Sequence, residues 1–581
     1  MAEELEITLP NPELQMLRNN KISGFNYRER RHADWTENYT LYRDRVIVNR
    51  LIQRQSVNLP LMKQSIRTLL KDVDDMPVIF FENLDNDKQA QLNKNAYWEE
   101  TVRVNNMEIQ DIVDKKQVFF FGRSFDQWQI VNGKVKMTVE DPMDMLVDRY
   151  GDPTDIDSYR NLIHTHIFKP LKVVEADPSY NKEEIQKLKE FHATEAGLIK
   201  NKTNTQSLID KNQKMADMGL SDVDAPILGE TYVELSLHFV MRKEEGDKEE
   251  QIYLYVEADD MAILFKDTLE NVIGVTKDHF WRDHYPYCTW ADDVERQDFW
   301  SDAVADIIRP VNKVLNAWFS QLVENRTLRN FGMHYYDSTK TADGFMPQSF
   351  VPQSWGWYGV PGKPSEVLQK VDIPDLSESL DEMAFVVTMI EKATGATATQ
   401  QGVETKNQVT LGEVKLALGE AKERIKGMSK FYTKAWERRG LLFSKLIEAS
   451  PEKLDPVMIF KKGLQTSNIH KKEITPKDWL TENGDRCKVW SREEKIMKDT
   501  DSLQKLAVVK VEMMDNPKFG EIYKRKLLEF ADLSPDETNE IMSYEERKNE
   551  YMMSSVGNGM VGQTTPPNAQ PQLTAPMQPV V

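Results

Sequence analysis

Cysteine is almost absent. Cys288 and Cys487 are the only two in 581 residues, too few and too far apart for a disulfide framework, so a reducing compartment is expected. Neither has a neighbour that would activate a thiol. Long hydrophobic runs are missing as well: runs such as those at 118–121, 263–265 and 385–387 fall far short of the ~20 residues a membrane helix needs. No span and no membrane partner are expected. The acidic start, Met1-Ala2-Glu3-Glu4-Leu5-Glu6, lacks the basic-then-apolar order of a secretory signal. Phosphate-loop glycines are absent too. Gly133-Lys134 and Gly362-Lys363 have no earlier glycine at the right spacing and are followed by Val135 and Pro364, which argues against an ATPase motor.

Positive charge is in deficit, 75 basic against 94 acidic residues for a net −19. That sign is wrong for a protein that grips nucleic acid by neutralising phosphates. It fits an acidic globular surface, or a surface past which a polyanion must slide without adhering.

Catalytic constellations are equally scarce. His164-Thr165-His166 would place two imidazoles on one strand face, but no cysteine or third histidine lies near, so a packed or solvent-facing pair is the plainer reading. Asp278-His279 and Asp283-His284 are neighbours expected by chance in a chain this acidic. The acidic pairs Asp74-Asp75, Asp259-Asp260 and Asp292-Asp293 resemble parts of a two-metal site. Solvated caps next to turns explain them more simply. No catalytic residue, metal or cofactor is assigned, and the chain is not expected to be an enzyme.

What the sequence does contain is order. The first forty residues interleave basic and aromatic side chains from Arg18 to Trp35, suiting an arm or a packed helix. Helices are expected over 35–54, 61–73 and 87–114. A strand over 125–131, the hairpin turn Asn132-Gly133 and a strand over 134–139 follow, then strands at 145–148 and 162–168 and a charged helix at 180–198. The weakly patterned stretch 201–229 reads as a loop or short helix. Strands at 232–241, 252–256 and 261–265 form a second β unit.

The strongest periodicity comes next. Trp300, Val304, Ile307, Ile308, Val311, Val314, Leu315, Trp318, Leu322 and Val323 recur every three or four residues, one buried helical stripe. Pro310 should kink this helix or mark its start. Leu376, Leu380, Met383, Val387 and Ile390 define a second helix. Thr410-Leu411-Gly412-Glu413 reads as a capping box opening a helix that runs to about Ile447, longer than most in globular proteins. An insert rich in Trp, Tyr, Gly and Pro separates the first two helices. A Gln/Pro/Thr/Gly tail ends the chain, with too little apolar area to order itself.

This order of parts, with Tyr42-Arg43-Asp44-Arg45-Val46, Asn58-Leu59-Pro60, Phe121-Gly122-Arg123-Ser124-Phe125, Val139-Glu140-Asp141-Pro142-Met143 and the string from Asp306 to Asn312, resembles the portal proteins of tailed bacteriophages over about residues 35–553. The resemblance implies an α+β, portal-like subunit: an N-terminal arm (1–34), a mixed wing domain (35–298), paired stem helices (299–330 and 373–394), a small α/β clip (331–372), a tunnel loop (395–409), a long spine helix (410–448), a wing return (449–491), a helical crown (492–553) and a disordered tail (554–581). It further implies a homo-oligomeric ring, typically of twelve, at one capsid vertex of the virion, assembled in the host cytoplasm. Double-stranded DNA would pass through its channel during genome packaging and ejection. A terminase packaging ATPase, and later head-tail adaptor proteins, would dock at the clip through Trp355, Trp357 and Tyr358, and the major capsid and scaffolding proteins would surround it. Thr399, Gln400, Gln401, Thr405, Lys406 and Asn407 of the tunnel loop would touch DNA transiently. Another virion structural or adaptor protein, or a nuclease using clustered carboxylates, stays open as an alternative.

Overall fold

A computed structural model of the protein describes residues 11–43, 58–73, 76–85, 87–218, 229–294, 298–331, 334–336, 368–370, 379–394, 411–462, 469–480, 484–490 and 505. The chain divides into two units, residues 1–459 with 473–492 and residues 460–472 with 493–581. The architecture below is that of the first, a mixed α+β unit.

Its helices are α1 (Pro12–Tyr42), α2 (Leu61–Asp72), α3 (Lys88–Val104), α4 (Met107–Phe121), α5 (Leu171–Ala176), α6 (Lys182–His192), α7 (Glu195–Met218), α8 (Leu269–Ile273), α9 (Val304–Phe331), α10 (Ser379–Thr394) and α11 (Leu411–Ala449). Its strands are β1 (Val78–Asn83), β2 (Arg123–Val131), β3 (Lys134–Glu140), β4 (Met145–Val147), β5 (Asn161–Pro170), β6 (Tyr232–Arg242), β7 (Gln251–Ala258), β8 (Ala262–Thr268), β9 (Tyr287–Ala291), β10 (His334–Tyr336) and β11 (Leu368–Lys370). The strands β12 (Val457–Lys462) and β13 (Ile469–Ile474), which straddle the division between the units, pair with each other, and β14 (Asp485–Trp490) returns to pair antiparallel with β1.

Local chemistry sets many of these boundaries. Asn11 caps α1 by accepting from the Glu13 amide at 3.0 Å, and Asp87 caps α3 by accepting from Gln89 and Ala90, satisfying amides that lack intrahelical partners. The expected hairpin forms: Val131 pairs with Lys134, and Asn132 and Gly133 both take the positive φ that a tight two-residue turn needs.

Besides the two-stranded pairs β1-β14, β10-β11 and β12-β13, two larger sheets are described, β3-β2-β9 and β4-β5-β6-β7-β8. The strand expected after the Asp141-Pro142 break therefore joins the second sheet, not the first. A large aromatic core lies around β2, α4, α9 and α11. Trp35 sits edge-on to Phe121 and Trp300, with centroids 5.6 and 5.2 Å away, and Trp98, Trp128, Trp436 and Phe443 continue the cluster. Such pairs add about 0.5–1.5 kcal/mol each beyond area burial.

Three expectations are revised. The division at residue 34/35 falls inside α1, one 31-residue helix whose Trp35, Tyr27 and Leu17 are buried. Residues 201–218, read as a loop or short helix, continue α7, a helix of 24 residues. The helix expected from residue 299 begins at Val304, six residues before Pro310 and after Trp300, which is buried upstream of it.

Candidate functional site

The helix α9 leaves the aromatic core, and β10 and β11 pair antiparallel with His334 opposite Lys370 and Tyr336 opposite Leu368. The two ends of the insert are thus tied side by side. The returning α10 packs on α9. The result is a helical hairpin. Trp355, Trp357 and Tyr358 lie in the sequence between β10 and β11 and are outside the described residues, as are Thr399, Gln400, Gln401, Thr405, Lys406 and Asn407 and the Thr410 cap, all between α10 and α11.

At the root of the hairpin, α9 is clamped to α1 by ions. Asp306 accepts from Asn38 Nδ2 at 2.9 Å and from the Ala303 amide at 2.8 Å, and pairs with Arg31 at 2.5 Å. Arg309 pairs with Asp34 at 2.7 Å and with Asp306 at 3.0 Å, and Lys313 pairs with Glu37. Asn38, fully buried, also donates to the Phe120 carbonyl at 3.2 Å, linking α4 to the clamp. Several charges sharing partners in a half-buried setting hold geometry better than single surface pairs do.

Described residues in or next to four of the five strings singled out in the sequence lie around this root. Asn316 on α9 accepts from the Leu59 amide at 2.9 Å and bonds Asn58. Gly122, at φ +77°, has the Ser301 carbonyl so close that a Cβ would stand 2.0 Å from its oxygen. Arg123 is buried, lies 3.9 Å over the Phe299 ring and donates to the Pro153 carbonyl at 3.0 Å; burial pulls its pKa down to about 10, so it stays charged at neutral pH. Tyr42 packs edge-on to Phe120 at 4.6 Å. Asp141 of the fifth string instead caps the short turn before β4 through the Met143 amide at 2.9 Å.

The apolar residues of α9 do not form one buried stripe. Val304, Ile308 and Leu315 are buried, whereas Ile307, Val314 and Trp318 are 52%, 43% and 36% exposed. The exposed set is spaced seven and four residues apart, so it forms its own stripe beside the buried one. Phe385 on α10 is 64% exposed. Periodicity alone merged the two stripes because both repeat with the helix.

The other candidate residues are used structurally. A β-bulge follows His164 and puts His166 at φ +56°, so the two imidazoles diverge: His164 Nδ1 is 3.2 Å from Tyr287 Oη, and His166 Nδ1 is 3.0 Å from Asp144. Burial, reinforced by Lys211, pulls His164 down to about 3 and keeps it neutral. Asp278 pairs with Lys445 of α11 at 2.8 Å, His279 with Glu270 at 3.0 Å, and His284 stacks on Phe280. Asp259 is no solvated cap; it is buried against His192 at 2.9 Å and Asn204 at 2.8 Å. Burial and Asp293 push Asp292 up to about 6. Asp74 and Asp75 lie outside the described residues. Burial pushes both thiols up, Cys487 to about 12.

One feature had no sequence signal: Arg439 of α11, fully buried, bridges Asp114 at 2.8 Å and Asp126 at 2.7 Å. Trp290 and Trp128 donate to the same carboxylates at 2.7 and 2.6 Å. Among the described residues no group of three His, Cys, Asp or Glu has a metal-holding arrangement, and no helix is long and apolar enough to cross a membrane. No family model matches this chain, and no curated protein matches it.

Proposed function

We propose that this chain is the subunit of a closed ring that serves as a conduit for double-stranded DNA at a virion vertex, as its resemblance to phage portal proteins implies. The observation that carries the reading is the hairpin of α9 and α10: clamped at its root, tied across its insert by β10 and β11, and lined with a second apolar stripe that the chain itself leaves uncovered. Ile307, Val314 and Trp318 offer a neighbouring copy of the chain an apolar ridge, and a heterologous contact of that kind generates a ring when its rotation closes. The net charge of −19 suits a channel through which a polyanion slides rather than binds. On this reading the span 331–372 is the docking end for a packaging ATPase and head-tail adaptors, with Trp355, Trp357 and Tyr358 as aromatic anchors. The span 395–409, with Lys406 its single cation among small polar residues, is the point of passing contact with DNA.

Solution mass together with negative-stain imaging tests the proposal. A cyclic particle with a central hole is expected; a monomer at micromolar concentration refutes it.

A further inference from the structure

The uncovered ridge of α9 and α10 is one half of a contact. A head-to-tail ring joins two different surfaces of the same chain, so this ridge needs a counter-face elsewhere on the subunit. The ridge has charge as well as shape. Asp381 and Glu382 are exposed on α10 one turn before the exposed Phe385, and residues three and four apart share a helix face. An apolar surface rimmed by cations is the complement.

Helices α4 and α11 carry such a surface. Most of α4 is buried, yet Ile109 and Ile112 are 60% and 47% exposed. Lys116, half-buried, follows Ile112 one turn later on the same face. Asp111, beside Ile112, accepts from Tyr432 of α11, and Lys115 lies 4.7 Å over the Tyr432 ring. Ile112 and Phe431, the latter 40% exposed, thus border one contact between the two helices. Lys434, one turn beyond Phe431, is exposed and pairs with Glu437. Arg67 is exposed on α2 and sits close enough to Lys116 that its charge adds to burial in pulling the Lys116 pKa down. Glu108, beside Ile109, is a carboxylate at the edge of the patch, outnumbered by the cations.

The exposed aliphatics of α7 fit the ridge less well. Leu198, Ile199 and Ile209 face out because α7 docks on its sheet through polar groups, Asn204 donating to the Tyr232 carbonyl at 3.0 Å and Lys211 pairing with Asp144 at 2.6 Å. Their charged neighbours Glu195, Lys202 and Asp210 are of both signs and give an acidic ridge no preference.

We propose that the α9–α10 ridge of one copy seats on the Ile109, Ile112 and Phe431 patch of the next, with Asp381 and Glu382 facing Lys116 and Arg67. This pairing rests on the ring reading and names the two surfaces that the ring joins. Apolar side chains from both copies leave water at the centre, and the charges at the rim set the register.

Mixing two broken subunits tests the pairing. The ridge is broken by Trp318→Glu with Phe385→Glu, and the patch by Ile109→Glu with Ile112→Glu; these positions are exposed, so each subunit is expected to fold, as circular dichroism checks. Wild type is expected to form a closed particle and each variant alone to be a monomer. The equimolar mixture is expected to give a species of twice the subunit mass by light scattering, because one intact ridge meets one intact patch and neither copy can extend the chain. The mixture is read well above the concentration at which wild type assembles, since a single contact lacks the gain of ring closure. In assembled particles, Phe431→p-benzoylphenylalanine should photocrosslink to a peptide of α9 or α10 from the neighbouring copy. A patch variant that still assembles, a variant that dimerises alone, a mixture without the double-mass species, or a crosslink outside α9 and α10 overturns this pairing and leaves the ring reading standing. A wild-type monomer refutes the ring reading and the pairing with it.

Discussion

Arg439 shows how one side chain fixes the position of a 39-residue helix. Its guanidinium is fully buried between Asp114 of α4 and Asp126 of β2, so α11 cannot slide without stranding charge. Replacing a buried charge while leaving its partners costs about 3–5 kcal/mol. Arg439→Met is therefore expected to lower the unfolding free energy, measured by denaturant titration, by that margin at pH 8 and by less at pH 5. Burial already raises the Asp126 pKa despite Arg439 beside it, and without the cation protonation relieves the unpaired charge. Equal losses at both pH values would show that the carboxylates are compensated some other way. Gly122 is a second point of this kind. At φ +77° with Ser301 2.0 Å from any Cβ, it allows the end of α4 to lie against the chain entering α9. Gly122→Ala is expected to cost more than about 3 kcal/mol, from strain and the clash together, and a melt unchanged within error would mean that the 301–303 segment yields freely.

The elements differ in how legible they were. The periodic stretches at 61–73, 304–331 and 411–449 appear as helices because an apolar repeat near 3.6 residues matches the turn of a helix. The Asn132-Gly133 hairpin was equally clear, since the turn chemistry is local. The helix α7 was legible only as a loop or short helix because its inward face is polar and its apolar residues point outward, so no stripe marks it. Likewise α1 was divided at residue 34, since Lys21 and Arg28 are buried on its inner face and blur the pattern: Lys21 reaches Asp260 at 2.8 Å and Ser236 at 3.0 Å. The two stripes of α9 carry a prediction at this scale. On the ring reading, Trp318→Glu combined with Phe385→Glu is expected to abolish assembly while the monomer still folds, because both side chains are exposed on their own chain. Retained assembly, measured by light scattering, would move the interface elsewhere.

For the molecule as a whole, the main consequence is mechanical. The clamp of Arg31, Asn38, Asp306 and Arg309 joins the hairpin to the same aromatic core that holds α4 and α11, so force on the hairpin reaches the sheets through ion pairs and packed rings rather than through a loose linker. On the ring reading, that coupling transmits contact at the tip to the wing. Asn38→Ala is expected to cost about 1–3 kcal/mol by removing the amide that joins Asp306 to Phe120; on that reading, particles from this variant imaged by negative stain should show hairpins splayed over a wider range of angles. Wild-type hairpin angles in such particles would separate stability from geometry.

The sequence by itself determined the α+β class, the hairpin turn, the long helices and the acidic balance, because each depends on local spacing or on summed composition. Only the tertiary structure decided which apolar residues of α9 meet their own core and which stay uncovered. It also decided that His164 and His166 part company at a bulge, that Arg439 sits between two distant carboxylates, and that α7 docks by its polar face. These depend on partners tens to hundreds of residues away, and burial sets whether a charged or apolar side chain is an anchor or a surface; spacing along the chain carries no record of either.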